Sequence, residues 1–154
     1  MTVVIAEKNL ISRNYEGVNN NCYFSFLVKN TDLQILAIHA HNSFELRSYL
    51  DEKCDYHPNI MLGDFNAGNY IKEKTGDDCK IATNRKNYLM VTEGYIDICQ
   101  GKVSTTYNTQ IDHILLKNSI EFITHHEYTN VIVDQSIKFS DHYPIVFRLN
   151  INED

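Results

Sequence analysis

The chain has 154 residues, of which 43% are hydrophobic and 22% charged, and its formal net charge is −6. This length and composition predict a single globular domain, residues 1–154, with a packed core. The acidic balance argues against broad nonspecific binding to a polyanion, although it is compatible with a local basic patch. We expect no membrane contact, because no segment approaches the length of a membrane span and the first residues lack a secretory signal pattern.

The cysteines are few and widely spaced, and they form no CxxC pair. A zinc site requires closer pairs of ligands, so the spacing favours buried or inert thiols and the reducing environment of the cytoplasm. The four positions are Cys22, Cys54, Cys79 and Cys99.

The first half of the chain predicts strands over 3–6, 22–29, 33–39 and 59–62, since each is a short apolar run. Asn30-Thr31-Asp32 supplies the turn between the second and third strands. A helix is predicted over 44–55, with Asn42-Ser43 as its cap and His57-Pro58 after its end.

The second half predicts a polar loop over 67–82 with room for one helical turn, and a helical segment at 87–91. Four strands are predicted, over 103–107, 111–116, 120–128 and 143–149. Many short strands with few helices indicate a sandwich of sheets. A basic cluster follows the first part of the loop and favours a solvated face, with a phosphate-gripping loop as the alternative. Its members are Lys72, Lys74, Lys80, Arg85 and Lys86.

Three motifs place polar side chains at the ends of apolar strands: Gly63-Asp64-Phe65-Asn66, Asp112 before Ile114-Leu115-Leu116, and Ser140-Asp141-His142 before Tyr143-Pro144. Strand ends can converge at one rim of a sheet. Carboxylate, amide and imidazole groups suit Mg²⁺ binding and phosphate-ester hydrolysis. The pattern therefore predicts a hydrolytic site at such a rim.

Individual roles follow from chemistry. His142 titrates near neutral pH, so it is the candidate general base or transition-state partner at a phosphate, provided that a carboxylate orients its other ring nitrogen. Asp112 is the candidate for that carboxylate. Asp64 and Asn66 alternate on a segment expected to be extended, which would turn both side chains to the same face.

Together with Ile35-Leu36-Ala37-Ile38-His39, these motifs resemble the endonuclease/exonuclease/phosphatase superfamily, whose relatives include DNase I and exonuclease III. The resemblance implies a four-layer α/β sandwich with two mainly antiparallel sheets and helices packed outside. It also implies Mg²⁺ or Mn²⁺ as cofactor, with Asp64 and Asp141 as metal ligands. Asp112 would orient His142, and His39 would lie beside the phosphate as an acid or oxyanion donor.

The family normally begins with two further strands that supply an Asn and a Glu, the principal Mg²⁺ ligand. Here residues 3–11 resemble the segment that follows those strands, so the resemblance covers the C-terminal two-thirds of the usual fold. We assign the role of that Glu to neither Glu7 nor Glu16. An N-terminally truncated sheet would expose an edge, which predicts a possible homodimer across that edge.

The sequence thus favours a metal-dependent phosphodiesterase or nuclease that acts on a nucleic acid or another phosphodiester. The alternative is a catalytically impaired fragment or binding descendant that needs a missing N-terminal segment or a partner. A zinc site at His39-x-His41 is a weaker rival, because no further ligands have metal spacing. Residues 105–107 are interpreted as ordinary strand residues, with a substrate-facing role as the alternative. Substrate identity (DNA, RNA, lipid or inositol phosphate) stays open.

Overall fold

The computed structural model describes residues 11–14, 23–52, 58–68 and 78–151. Within these ranges the strands are β1 (Ile11–Asn14), β2 (Tyr23–Val28), β3 (Gln34–His39), β4 (Ile60–Asp64), β5 (Tyr95–Asp97), β6 (Asp112–Lys117), β7 (His126–Val133) and β8 (Ile145–Ile151). The helices are α1 (Ser43–Glu52), α2 (Asp78–Val91) and α3 (Ile120–His125). None of the helices in the described ranges has the length and hydropathy that a membrane span requires.

A six-stranded sheet with the order β1-β2-β3-β4-β6-β5 forms the centre of the fold. Its neighbouring strands are antiparallel except for β3 and β4, which are parallel and are joined through α1. Strands β7 and β8 form a second, antiparallel sheet. A parallel pair needs a crossover connection, and α1 provides it. The predicted α/β sandwich with two mainly antiparallel sheets is confirmed.

Both faces of the large sheet are buried, because the central strands alternate between two apolar clusters. Leu36, Met61 and Leu115 pack on the face that Leu46 of α1 and Val91 of α2 cover. The neighbouring positions of the same strands point to the other face, where residues of the second sheet and Phe122 of α3 complete the packing. Each fully buried Leu, Ile or Met contributes about 1.5–3 kcal/mol relative to an exposed one.

Several predicted elements match the structure closely. The strands expected over 22–29, 33–39, 59–62, 111–116 and 143–149 correspond to β2, β3, β4, β6 and β8. The helix expected over 44–55 corresponds to α1, and the side-chain oxygen of Asn42 accepts a hydrogen bond from the Glu45 amide at 2.8 Å, as a helix cap does. The strand expected over 3–6 lies outside the described residues.

The prediction of one strand over 120–128 is wrong. Residues Ile120–His125 form α3, and strand β7 begins only at His126. The segment is rich in β-branched and aromatic residues, which favour strands in isolation. Ser119 reverses this preference, because its hydroxyl accepts a hydrogen bond from the Phe122 amide and caps the helix, while Phe122 is buried against the large sheet.

Two further predictions need correction, and one strand was missed. Residues 103–107 form no strand, only an isolated bridge between Thr105 and His142, because the chain turns through Asn108 at φ 62. The short strand β5 was not predicted. The loop expected over 67–82 ends early, since α2 already begins at Asp78 and includes 87–91. Of the basic cluster, Arg85 and exposed Lys86 lie on α2, while residues 72 and 74 lie outside the described ranges.

The close approach of β3 and β4 generates the first testable prediction. Gly63 has φ 128, and a Cβ atom placed there would collide with the backbone carbonyl oxygen of Ile38. We expect Gly63→Ala to lower the free energy of unfolding by about 2–5 kcal/mol, since backbone strain and overpacking add. Chemical denaturation measures this change.

Gly94→Ala is the matched control for that variant. Gly94 also has a positive φ, 81, but no atom lies within 4 Å of a Cβ placed there. Its substitution should cost only about 1–2 kcal/mol from the left-handed backbone conformation. Equal losses in the two variants would show that the close approach at Gly63 does not matter.

The buried thiol of Cys99 yields a second prediction. Burial and the neighbouring charge of Asp97 raise the pKa of Cys99 to about 11, and the residue is fully buried. Because the thiolate is the reactive form, Cys99 should resist iodoacetamide at neutral pH in the folded protein and react after denaturation. Mass spectrometry of the peptide that contains Cys99 checks this, and rapid labelling of the folded protein would contradict it.

Candidate active site

Three central strands end at the same rim of the large sheet, and the predicted site residues lie at these ends. In the parallel pair, His39 of β3 lies opposite Asp64 of β4. In the antiparallel pair, Asp64 lies opposite Asp112 of β6. The ladder continues one step beyond the strands, because the Ala40 amide donates to the Asp64 carbonyl and the Phe65 amide donates to the Ile111 carbonyl. Backbone pairing therefore sets the spacing of the three side chains.

His142 and Asp112 form a dyad. The Nδ1 atom of His142 lies 3.0 Å from Oδ1 and 2.9 Å from Oδ2 of Asp112. Partial burial alone would lower the pKa of His142, but the charge and hydrogen bond of Asp112 outweigh it, and the pKa is raised with further help from Asp64 and Asp141. Since Nδ1 donates to the carboxylate, Nε2 is left to exchange a proton or a hydrogen bond with a ligand.

The loop that carries His142 is held by backbone hydrogen bonds to residues 104–106. The Thr106 amide donates to the Asp141 carbonyl, and the Tyr143 amide donates to the Ser104 carbonyl, each at 2.8 Å. These bonds flank the bridge between Thr105 and His142. The position of His142 thus depends on residues 104–106, which lie within the strand predicted over 103–107.

Ser104 joins both halves of the dyad and was missed by sequence reasoning. Its hydroxyl oxygen, fully buried, accepts hydrogen bonds from the amides of Ile111 and Asp112 at 3.2 and 3.1 Å. Its carbonyl meanwhile accepts the amide of Tyr143. A single small hydroxyl residue gives no periodic signal, so only its partners in the fold identify it.

Asp64 lies between two imidazoles. Its Oδ2 atom is 3.9 Å from Nε2 of His39 and 3.9 Å from Nε2 of His142. Burial and the neighbouring charge of Asp112 raise the pKa of Asp64, although the Asn66 amide and the two histidines act in the opposite direction. The surroundings of Asp64 therefore disfavour an uncompensated negative charge, and a cation would compensate it.

Asn66 reaches Asp64 through a geometry that differs from the prediction. The segment is not extended, because Asn66 has φ 47 in the left-handed region, which Asn tolerates better than most residues. Its amide nitrogen donates to Asp64 Oδ1 at 2.8 Å, and its Nδ2 lies 3.4 Å from Asp64 Oδ2 and donates to the Ala40 carbonyl. The two side chains meet as expected, but through a tight turn after β4.

The residues brought together could hold a metal ion. One ligand atom each from Asp64, Asp112 and His142 lies within 4.8 Å of the others. Two carboxylates and an imidazole are ligands that divalent cations accept, with oxygen preferred by Mg²⁺. Because both oxygens of Asp112 face the imidazole of His142, Asp64 is the carboxylate better placed to receive a cation.

Asp141 and the two histidines at the end of β3 lie at the border of this group. Asp141 is exposed and its charge acts on His142, but it is not a member of the close ligand set, so its predicted role as a metal ligand stays a prediction. The rings of His39 and His41 lie 6.1 Å apart. Within the described ranges no metal-capable group includes them, which gives the zinc alternative no support.

Comparison with known proteins supports the fold. Neither a protein-family model nor a curated protein matches the sequence. Among solved structures, the chain is similar to the endonuclease domain of TRAS1, a telomere-specific non-LTR retrotransposon, with a TM-score of 0.63 and 16% identity over 93% of this chain and 69% of that one. The chain has a DNase I-like fold.

A second solved structure is also similar, that of a functionally unknown conserved protein from Enterococcus faecalis V583. The TM-score is 0.50 at 17% identity, and the match covers 84% of this chain and 55% of that one. At such identities the DNase I-like fold is what the similarity shows. The chemistry has to be argued from the site residues of this chain.

Substitution of Ser104 tests how the dyad is held. Ser104→Ala removes the acceptor for two partly buried amides, so we expect a loss of about 1–3 kcal/mol in unfolding free energy. The amide resonances of Ile111 and Asp112 should move in the ¹H–¹⁵N spectrum. Ser136→Ala, at an exposed serine that bonds Asp134, is the control and should leave those resonances in place. Unchanged Ile111 and Asp112 signals in Ser104→Ala would contradict the assigned bonds.

Proposed function

We propose that this protein is a divalent-metal-dependent phosphodiesterase that cleaves nucleic acid. The observation that carries the proposal is the dyad of His142 and Asp112, joined at 2.9 Å, with Asp64 at 3.9 Å from the outer ring nitrogen. The arrangement lies at the strand ends of a DNase I-like fold that is also the fold of an endonuclease domain. Support therefore comes from site chemistry and fold together.

His142 is the proposed proton acceptor. Asp112 fixes the tautomer in which Nδ1 carries hydrogen and the Nε2 lone pair faces outward, and its charge stabilises the imidazolium that forms after proton uptake. The raised pKa of His142 strengthens the ring as a base toward water or a hydroxyl group. General base catalysis of this kind contributes about 10²–10⁴-fold to a rate.

Asp64 is the residue proposed to hold the cation. Asn66 is the residue proposed to orient the Asp64 carboxylate. When bound, a Mg²⁺ or Mn²⁺ ion supplies charge neutralisation at a phosphate oxygen and lowers the pKa of bound water. The backbone amide of Asn66 donates a hydrogen bond to Asp64 Oδ1, so the carboxylate keeps one orientation. His39, whose side chain is 42% exposed, is the proposed hydrogen-bond donor to a phosphate oxygen.

A second candidate function is nucleic-acid binding with impaired catalysis. Among the residues that the structure describes, the close ligand set contains two carboxylates, and one of them is engaged by His142. Fewer carboxylates at a Mg²⁺ site mean weaker binding of the ion. In this case turnover would need a further carboxylate from a partner or from another segment.

Three broader predictions from the sequence stay predictions. These are the single domain over residues 1–154, the cytoplasmic location and the homodimer across a sheet edge. Nothing in the described ranges supports the homodimer, so the proposal does not use a second copy. Whether the nucleic acid is DNA or RNA is tested by comparing the hydrolysis of both.

Hydrolysis of defined substrates tests the function. We expect cleavage of DNA or RNA with Mg²⁺ or Mn²⁺ and none with EDTA. His142→Ala should lower kcat about 10²–10⁴-fold, since it removes the base, and Asp112→Asn should also lower it strongly, because an amide does not fix the required tautomer. A panel of single-stranded and duplex DNA, RNA and a chromogenic phosphodiester distinguishes the substrate classes.

The control is His125→Ala, which removes a histidine on α3 outside the dyad. It should leave turnover near that of the unaltered protein. Cleavage that survives His142→Ala or EDTA would overturn the proposal. Absence of turnover together with measurable nucleic-acid binding would instead establish the second candidate function.

A further inference from the structure

His113, the residue after Asp112, is a buried polar side chain that the proposed chemistry does not use. It is 1% exposed, and the positions that follow it on β6 are apolar core residues. Adjacent residues of a strand point to opposite faces, so His113 lies behind the sheet edge where Asp112 meets His142. A buried imidazole requires partners for its ring nitrogens, and their identity shows what the residue does.

Both ring nitrogens of His113 face acceptors. Nδ1 lies 3.0 Å from Oδ2 of Asp97, and Nε2 lies 2.8 Å from the carbonyl oxygen of Ala67. A carbonyl only accepts, so Nε2 carries a hydrogen. Asp97 is an ionised acceptor: burial alone would raise its pKa, but the hydrogen bond and charge of His113, with help from Tyr88 and the Cys99 amide, lower it. His113 thus donates from Nε2 to a carbonyl, while its Nδ1 lies against a carboxylate.

Neighbouring groups satisfy the carboxylate of Asp97 and pack against the ring of His113. The Tyr88 hydroxyl donates to Asp97 Oδ2 at 2.6 Å, and the Cys99 amide donates to Asp97 Oδ1 at 2.8 Å, so both carboxylate oxygens are satisfied. The ring of Phe65 meets the His113 ring edge-on at 5.4 Å, and the ring of Tyr88 lies 4.7 Å away. With two aromatic rings against it and both nitrogens bonded, the His113 ring has little freedom to turn.

The bond to Ala67 connects this network to the candidate site. Ala67 directly follows Asn66, whose amide fixes Asp64. The left-handed turn at Asn66 is also held by its own bonds to Asp64 and Ala40 and by the bond from the Phe65 amide to the Ile111 carbonyl. One side chain of β6 thus holds the turn that orients Asp64, while the preceding residue of β6 orients His142.

We propose that His113 is a positioning residue that, by donating to the Ala67 carbonyl, holds the turn at Asn66 and so keeps the Asp64 carboxylate oriented toward the dyad of Asp112 and His142. This inference rests on the proposed function, because it assigns His113 to the same site. The rival role is purely structural, in which the network stabilises the core and has no specific effect on the turn. Misplacement of a reacting group by about 1 Å can reduce a rate about 10²-fold.

Two variants of the same network separate these roles. His113→Phe keeps an aromatic ring but removes both ring nitrogens and releases the Ala67 carbonyl. Tyr88→Phe, the matched control, removes one donor to Asp97 and leaves the bond from His113 to Ala67. Both variants are compared at a temperature where thermal melts show them folded, so that loss of stability does not enter the comparison.

We expect His113→Phe to move the amide resonances of Asn66 and Ala67 and to lower kcat about 10²-fold with little change in KM. Tyr88→Phe should leave those resonances and kcat near their original values. Equal effects of the two variants on the resonances of the turn, or an unmoved turn in His113→Phe, would overturn the proposal in favour of the structural role.

A measurement on the unaltered protein covers the case in which His113→Phe does not fold. The ¹⁵N spectrum of the imidazole rings should show hydrogen on Nε2 of His113, with a coupling across the hydrogen bond to the Ala67 carbonyl. An Nε2 atom of His113 that carries no hydrogen would overturn the proposal. The resonances do not depend on turnover, so an inactive protein in which they behave as expected would refute the proposed function and leave the positioning role intact.

Discussion

The register of β4 between β3 and β6 is the constraint on which the candidate site depends. Because strand side chains alternate with a period of two, a slip of one residue would turn Asp64 away from both His39 and Asp112. The close approach at Gly63 contributes to this register, since no side chain fits beside the Ile38 carbonyl. Packing on both faces of the sheet also opposes a slip in register, because each central strand contributes side chains to two apolar clusters.

The same backbone pairing creates an electrostatic problem that the side chains solve. It places the carboxylates of Asp64 and Asp112 on paired positions, where like charges repel. Imidazoles on either side offset this repulsion, with His142 on Asp112 and His39 near Asp64. Behind the strand ends, His113 and Asp97 form a further buried, hydrogen-bonded pair. A buried pair of this kind is weak evidence for stability, so a role in fixing geometry accounts better for its presence.

Sequence reasoning identified the strands and the site motifs wherever the information was local. Apolar runs defined β3, β4 and β6, and the polar residues at their ends are the ones that the structure brings together. What could not be predicted depends on partners distant along the chain. Ser104 and His113 have no periodic signature, and their hydrogen bonds to Asp112 and Ala67 become visible only in the folded chain.

The errors share the same physical origin. Residues 120–125 have strand propensity, yet one hydroxyl at Ser119 and the burial of Phe122 favour a helix. Asn66 was expected on an extended segment, but its amide finds a carboxylate acceptor two residues earlier and the turn closes. In both cases a side-chain oxygen competes for a backbone amide, and this competition is decided by geometry rather than by hydrophobic periodicity.

The carboxylates of Asp64 and Asp112 differ in their hydrogen-bond partners, and this difference bears on where a cation would bind. Asp112 directs both oxygens to Nδ1 of His142, so a cation there would compete with the imidazole. Asp64 is held by an amide, has imidazoles only at 3.9 Å, and lies in surroundings that raise its pKa. A cation bound at Asp64 would therefore relieve an unfavourable charge and would leave the dyad of Asp112 and His142 unbroken.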